Sequence, residues 1–462
     1  MVDQLDQLDR AERAAQGRQH AERLVAVGVV GVALTWVDTG GITRVKAVPT
    51  AALARAAAWG VGATPLFDFF LPDDSITTGR YSGGPTGDLR LLPDLARLVP
   101  LAAQPGWAWA PVDRWTQQGS RHPQCSRALA ARLTERLAAA GLTARLAFEV
   151  EWVLDAGSGD DVVSAMGGPA YGMTRLIERS DYAAELLRAL AAQGVEVAQF
   201  HPEYAAGQLE ISVAAESPVA AADTTVLVRT TIRAVAARHG LRVSFAPSVI
   251  AGGVGNGGHV HLSVSRDGHN LLYGGEGRYG LTGEGEAFIA GILSRLPALL
   301  AIGAPSVASY QRLVPSHWAG VFGCWGRENR EAAVRLITGS AGEQPEAANV
   351  EVKCVDATAN PYLLVAALLA GGMSGIEQGA TLPEPVDADP ASWSDDERAA
   401  CGVARLPQRL DDAVAAFVAD PVLAEAFGPE LADTVVAVRR AEIERFAAAS
   451  PEEIVTASRW TP

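Results

Sequence analysis

The sequence predicts a mixed α+β protein with a small N-terminal domain over residues 1–112 and a larger α/β domain over residues 113–462. Three observations carry this. At roughly 150 residues per domain, a chain of 462 residues accommodates two or three domains with large cores. From Ser126 onward helical and strand-like stretches alternate, with a glycine after each helix where a left-handed stop is expected. A Pro- and polar-rich passage, Asp113–Ser126, separates that region from a different pattern before it.

Residues 9–26 carry apolar and alanine positions at helical spacing. Val29–Trp36 is a β-branched run closed by Asp38-Thr-Gly-Gly41 and answered by Thr43–Val48, so a helix followed by a β-hairpin is expected. Trp59–Asp94 is rich in Gly, Pro and Asp, with Pro72-Asp-Asp-Ser75 and Gly83-Gly-Pro-Thr-Gly87, and reads as a long ordered functional loop. Beyond the boundary, helices are expected at Ser126–Ala140, Ser180–Gln193 and Ala222–His239. Strands are expected at Arg145–Leu154, Val195–Phe200, Leu241–Phe245 and His259–Ser263. From Pro407 to the end the chain is rich in Ala and Leu and reads as helical.

Composition narrows the function. With 53 Asp and Glu against 38 Lys and Arg the formal charge is −15, and 48% of residues are hydrophobic. Disorder is excluded as the main state, and sequence-independent binding to nucleic acid or anionic lipid is not expected, because both need clustered cations. Cys125, Cys324, Cys354 and Cys401 form neither a CxxC pair nor a disulfide framework, so a cytoplasmic location is expected. The apolar stretches Leu24–Val37 and Pro361–Met373 fall short of the roughly 20 residues a membrane span needs. Asp3, Asp6, Asp9, Glu12 and Glu22 ahead of the first do not suit a signal peptide.

Five clusters carry chemistry. In Phe148-Glu-Val-Glu-Trp152 two glutamates lie two apart in an apolar strand, so both leave the same face; either that face is solvated or a cation sits there. His201–Glu210 adds Glu203 and Glu210 in a segment without strand regularity, where a plain surface is the alternative. Gly252–His261 is a glycine-rich approach to two histidines at strand spacing; a flexible loop with core histidines is the alternative there. Ser309–Pro315 and Trp325–Arg335 supply Arg312, Arg330 and Arg335, whose forked donors suit carboxylate and phosphate oxygens or surface salt bridges. Glu351 and Lys353 share one face of a short strand before Ala359-Asn-Pro-Tyr-Leu363.

In this order, the E-x-E strand, the E-x₆-E segment ending in Gln-x-Glu, the H-x-H strand, Ser309-Tyr-Gln-Arg-Leu-Val-Pro315, the Arg330 and Arg335 pair and Ala359-Asn-Pro-Tyr-Leu363 resemble the glutamine synthetase superfamily. The resemblance implies a β-grasp-like N-terminal domain and a catalytic domain around a curved antiparallel sheet. It implies a homo-oligomer, a dodecamer of two hexameric rings whose neighbouring subunits complete each site. It also implies that Glu151, Glu203 and Glu210 hold one divalent metal, and Glu149, His259 and Glu351 a second, with Mg²⁺ or Mn²⁺ favoured by hard oxygen ligands. Five carboxylates and two dications leave a net charge of −1, so cationic groups must face ATP. Arg330 and Arg335 match the family's phosphate-facing arginines, and Arg312 matches the one holding glutamate's α-carboxylate. Gly255 and Lys353 fall at the glutamate site, and Ser263 falls where the family meets the nucleotide base. The implied reaction is an ATP-dependent ligation through a γ-glutamyl phosphate, which an amine then attacks.

In glutamine synthetases the Arg-Leu-Val-Pro run continues into a flap whose glutamate holds ammonium and takes its proton. Here the flap reads Ser316-His-Trp-Ala-Gly320, with Trp318 at the glutamate position. That change resembles the γ-glutamyl-amine ligases, and Trp318–Arg330 is similar to the actinobacterial branch associated with ethanolamine. An indole face offers a small amine a cation–π contact of about 0.5–2 kcal/mol. Polyamines want acidic partners, and the loss of a flap glutamate removes one, so a small primary amine is expected, ethanolamine first. His317 is the candidate base. Ammonia-dependent glutamine synthesis, γ-glutamylation of polyamines, a non-catalytic synthetase-like assembly and two-metal hydrolysis are the alternatives. The nearest counterpart of the family's second ammonium carboxylate is Asp68 in Phe67-Asp-Phe69, and Asn256 is the expected substitute for an amide donor lost at Val254.

Overall fold

The structure, a computed structural model, describes residues 7–81 and 84–461. Asp3, Asp6 and Gly83 lie outside them. The first helix, Gln7–Ala26, leads into the hairpin β1 (Gly31–Val37) and β2 (Thr43–Pro49), paired antiparallel from Gly31↔Pro49 to Val37↔Thr43. Strands β3 (Val61–Ala63), β4 (Leu89–Pro93), β5 (Val99–Pro100) and β6 (Trp107–Thr116) complete a six-stranded sheet with the path β2-β1-β6-β4-β3 and β5 paired to β6. Its core gathers Leu24 from the first helix with Val32, Leu34, Leu53, Leu91, Ala108 and Val112. Residue 112, the expected division, lies inside β6.

The stretch Trp59–Asp94, expected to be an ordered loop, carries regular elements among its described residues. It contains β3, a 3-10 turn at Pro65–Phe69 and β4. Asp68 is fully buried, 2.5 Å from Arg114 Nη1 and 3.1 Å from His122 Nε2. Arg114 also donates to the Gln124 carbonyl, and Gln124 Nε2 donates to Thr434 Oγ1 at 2.5 Å. Asp68 is thus the centre of a buried knot tying the loop, β6 and a C-terminal helix together, a role the sequence does not reveal.

The second sheet comprises β7 (Leu142–Asp155), β8 (Val197–Pro202), β9 (Gln208–Val213), β10 (Arg242–Ser244), β11 (Val260–Arg266), β12 (His269–Asn270), β13 (Phe322–Arg327), β14 (Ala332–Ile337) and β15 (Asn349–Val352). Its path is β13-β14-β15-β11-β7-β9-β8, antiparallel except for β13 with β14. β7 is the spine: its first half pairs with β11 and its second half with β9 and β10, so the sheet curls along its length. Leu146, Phe148, Val150, Trp152 and Leu154 alternate inward to the core, which frees the odd-numbered residues for the other face.

Behind the sheet, the helices Gly283–Gly303 and Pro361–Gln378 pack at very close range. A Cβ on Gly375 would lie 2.0 Å from the Ala287 carbonyl oxygen, so glycine is required there. Gly283–Gly303 is long and apolar enough by composition to cross a membrane, and the stretches weighed in the sequence passed it over; here it is largely buried within the protein. Asn360 caps the second helix by accepting from Tyr362 and Leu363 N–H, and its Nδ2 donates to the Val37 and Asp38 carbonyls at 3.2 and 3.0 Å. The Ala359–Leu363 motif therefore joins the two sheets.

Candidate active site

Strand register brings the clusters together. Glu151 lies opposite Glu210, and Glu210 opposite His201; on the other side Ala147 lies opposite His261, His261 opposite Glu351, and Glu351 opposite Arg335. Directly opposed residues share a face, as do alternate residues along a strand. Glu149, Glu151, His201, Glu210, His261, Glu351 and Arg335 therefore all project from the same concave side. The segment His201–Glu210, expected to be irregular, is the β8–β9 hairpin, and that hairpin is what aims Glu210 at Glu151.

Two groups of converging donors result. Glu149, His259 and Glu351 offer ligand atoms within 4.8 Å of one another, as do His201, Glu203 and Glu210. Glu151 stands between them, its Oε1 4.0 Å from His259 Nε2 and its Oε2 accepting from Gln208 Nε2 at 2.9 Å. The first group is the expected second metal set. The other contains Glu203 and Glu210 of the expected first set, with Glu151 across the ladder, and adds His201, whose Nε2 is 3.2 Å from Glu210. The alternation of His201 with Glu203 was the available signal. Tyr171, also unforeseen, donates its hydroxyl to Glu203 at 2.9 Å.

Electrostatics follow this crowding. Burial, then the neighbouring Glu210, pushes Glu151 up to about 8, and burial raises Glu210 as well. Burial works to raise Glu351, yet Lys353 and the histidines hold it down at about 2. His201 rises to about 9 through its hydrogen bond to Glu210, whereas burial and then Lys353 take His259 down to about 4. Hard carboxylate oxygens, joined at the first group by the neutral imidazole of His259, fit a divalent cation such as Mg²⁺ or Mn²⁺, and a dication relieves the carboxylate repulsion.

The cationic rim is Arg312, Lys353 and Arg335. Arg312 Nη2 lies 3.1 Å from His259 Nε2 and donates to the Lys353 carbonyl at 3.2 Å, while its buried Nη1 has no partner among the described residues. Lys353 Nζ and Arg335 Nη1 donate to Glu351 at 2.9 and 3.1 Å. A Cβ on Gly257 would lie 2.6 Å from Glu151 Oε1 and 2.7 Å from His259 Nε2, and one on Gly255 2.7 Å from Arg312 Cγ; glycine lets this loop close beneath the site. Ser263 is half-buried two residues beyond His261 on the same face, and Arg330 is exposed in the turn before β14. Asn256 is not the expected amide donor: its Nδ2 donates to the Ala246 and Ser244 carbonyls, and its Oδ1 accepts from Gln208.

The flap crosses the cationic end. His317 is exposed on it, and Ser316 and Trp318 adopt φ of 57° and 56°, a strained region for residues with side chains. Two carboxylates hold it there. Trp318 N–H donates to Glu331 Oε1 at 2.9 Å, and the Ser316 hydroxyl donates to Asp389 Oδ2 at 2.9 Å. A carboxyl group, that of Glu331, thus stands beside the backbone of Trp318.

Residues 123–456 match the family described as Glutamine synthetase, catalytic domain. The chain is similar to the gamma-glutamylpolyamine synthetase GlnA3 of Streptomyces coelicolor, 59% identical over 440 residues that cover 95% of this chain and 94% of that relative. It is also similar to the glutamine synthetase of Methanocaldococcus jannaschii, 35% identical over 285 residues, 62% of each chain. A solved structure described as a novel glutamine synthase homolog superimposes with a TM-score of 0.83 at 34% identity, covering 93% of this chain and 97% of that one. A GmaS/ADP complex superimposes with a TM-score of 0.81 at 28% identity, covering 93% and 96%.

Proposed function

This chain belongs to the glutamine synthetase family and is an ATP-dependent γ-glutamyl ligase; from that premise we propose that its amine substrate is an aliphatic polyamine. The observation that carries the reading is the 59% identity, over 95% of the chain, to a protein named for γ-glutamylpolyamine synthesis. Ethanolamine, expected from Trp318 and from the likeness of the Trp318–Arg330 run, gives way to it. Glu331 and Asp389 at the flap support it, since a polyamine keeps further positive charges that need acidic partners.

In this reading the two carboxylate groups with Glu151 hold the cations, which supply positive charge to the transferring phosphoryl oxygens. Arg330 and Arg335 face the phosphates, Ser263 faces the nucleotide base, and Arg312, Gly255 and Lys353 hold glutamate. An oxygen of the γ-carboxylate attacks the γ-phosphorus of ATP as the bond to ADP breaks. The amine nitrogen, having passed a proton to His317, then attacks the γ-carbonyl carbon as the bond to phosphate breaks. The enzyme works as a ring assembly of identical subunits, and an active monomer in light scattering contradicts that part.

The test is phosphate release with ATP and glutamate across ammonia, ethanolamine, putrescine, spermidine and spermine. We expect a polyamine to give the highest kcat/KM, by about tenfold or more over ethanolamine, the size of one charge-assisted contact. A highest value for ammonia or ethanolamine contradicts the reading.

A further inference from the structure

Glu331 stands one residue before β14, in line with Arg335 along that strand and hence toward the face bearing Glu351 and Lys353. It is only 6% exposed. Its Oε1 is used by the Trp318 amide, whereas its Oε2 is buried and has no hydrogen-bond partner among the described residues. A buried carboxylate oxygen left unpaired is costly and calls for a donor. Glu331 also lines a cavity of about 360 Å³ whose other walls include Arg330, Glu328, Asp387 and Asp389. Glu328 is committed to Arg335 at 2.6 Å, whereas Asp389 accepts one hydrogen bond on each oxygen, from Ser316 and from the amide of Ala391, and keeps acceptor capacity for a further donor.

We propose that Glu331 Oε2 is the receptor for the attacking ammonium group of the amine substrate, and that Asp389 and Asp387 across the same cavity receive a second ammonium group. This rests on the polyamine reading above and names the residues that make it possible. An aliphatic ammonium group carries three N–H donors and no acceptor, the complement of an unpaired carboxylate oxygen. A neutral hydroxyl in the place of the second ammonium leaves the outer carboxylates without a counter-charge. Burial, and to a smaller extent Asp389, raise the Glu331 carboxyl while the Trp318 amide, Lys353 and the nearby Ser316 backbone N–H lower it; the net shift is upward, and a bound cation offsets it. The strained flap conformation at Ser316 and Trp318 fits the same role, since the two carboxylates that pin it are those that border the cavity.

The test varies the amine at saturating ATP and glutamate. Glu331→Gln keeps an acceptor for the Trp318 amide but turns an N–H₂ group toward the substrate. It should raise the KM for putrescine and spermidine about 10- to 100-fold, the scale of a lost charge-assisted hydrogen bond, with the KM values for glutamate and ATP moving less than about threefold. Glu331→Asp should recover part of the loss. Asp389→Asn should collapse the preference for putrescine over butylamine, its monocationic analogue, and this arm stands even if Glu331→Gln folds poorly. Unchanged amine KM in Glu331→Gln, or an unchanged putrescine-to-butylamine ratio in Asp389→Asn, overturns the assignment. If the unmodified enzyme prefers ammonia, the polyamine reading falls by itself; if it prefers polyamines and the variants do not discriminate, only this assignment falls.

Discussion

Glu151→Gln is expected to lose glutamate-dependent ATP turnover by about 10³-fold or more, in the range seen when one electrostatic element of a phosphoryl- or acyl-transfer site is removed. Glu151 stands between the two donor groups, opposite Glu210 across the ladder and 4.0 Å from His259. Its replacement therefore weakens two cation sites at once. Folding should survive, because burial and Glu210 hold this carboxyl up at about 8, so that without a cation it is already largely uncharged at neutral pH, and the amide matches that form in size and charge. Glu210→Ala should behave alike. Thermal denaturation gives an independent reading: Mg²⁺ or Mn²⁺ should raise the Tm of the unmodified protein, a chelator should reverse the rise, and Glu151→Gln should show little of it, as mass action requires. Near-normal turnover at saturating Mg²⁺ in either variant shows the cluster to be wrongly assigned.

Arg114→Met is expected to destabilise the protein by about 3–5 kcal/mol at neutral pH, the cost of removing one partner of a buried ion pair. Arg114 is 2.5 Å from Asp68, and both are buried. In the intact protein Arg114 and His122 hold the Asp68 carboxyl below its usual value against the effect of burial. A depressed carboxylate contributes stability above its unfolded pKa near 3.8, lost only as pH falls through the lower folded value. Without Arg114 burial prevails and the sign reverses: the folded pKa rises, and stability falls as pH increases through it. The deficit relative to the unmodified protein should therefore shrink between pH 7 and pH 5. Urea denaturation at both pH values measures this, and an equal deficit at both contradicts it.

What the sequence discloses depends on how far apart the interacting residues lie. Glu149 and Glu151 are legible because their alternation is set within one long apolar strand, and the same holds for the H-x-H strand, where Val260, Leu262 and Val264 turn inward. The helices Ser126–Ala139, Ser180–Ala192 and Pro218–Arg238 are legible from period and from the glycine that follows each, although the last begins four residues before the expected Ala222. The β8–β9 hairpin is hidden because Pro202 and Ala205-Ala-Gly207 interrupt the two-residue period, and pairing with β7 overrides that local sequence. Strand β3 has three residues, too few to carry a pattern. Asp68 is opaque because its partners lie 46 and 54 positions away. Glu331 is opaque for the same reason: the flap must fold back onto β14 before its carboxylate meets Trp318.

The most direct measurement of the central claim uses glutamate carrying heavy oxygen in both γ-carboxylate positions, with ATP and spermidine, and mass spectrometry of the products. Transfer through a γ-glutamyl phosphate leaves one heavy oxygen in the γ-glutamylspermidine carbonyl and delivers the other to the released phosphate. Formation of the adduct with one label in each product is the expected result; phosphate released without label, or labelled phosphate with no spermidine adduct, contradicts the account.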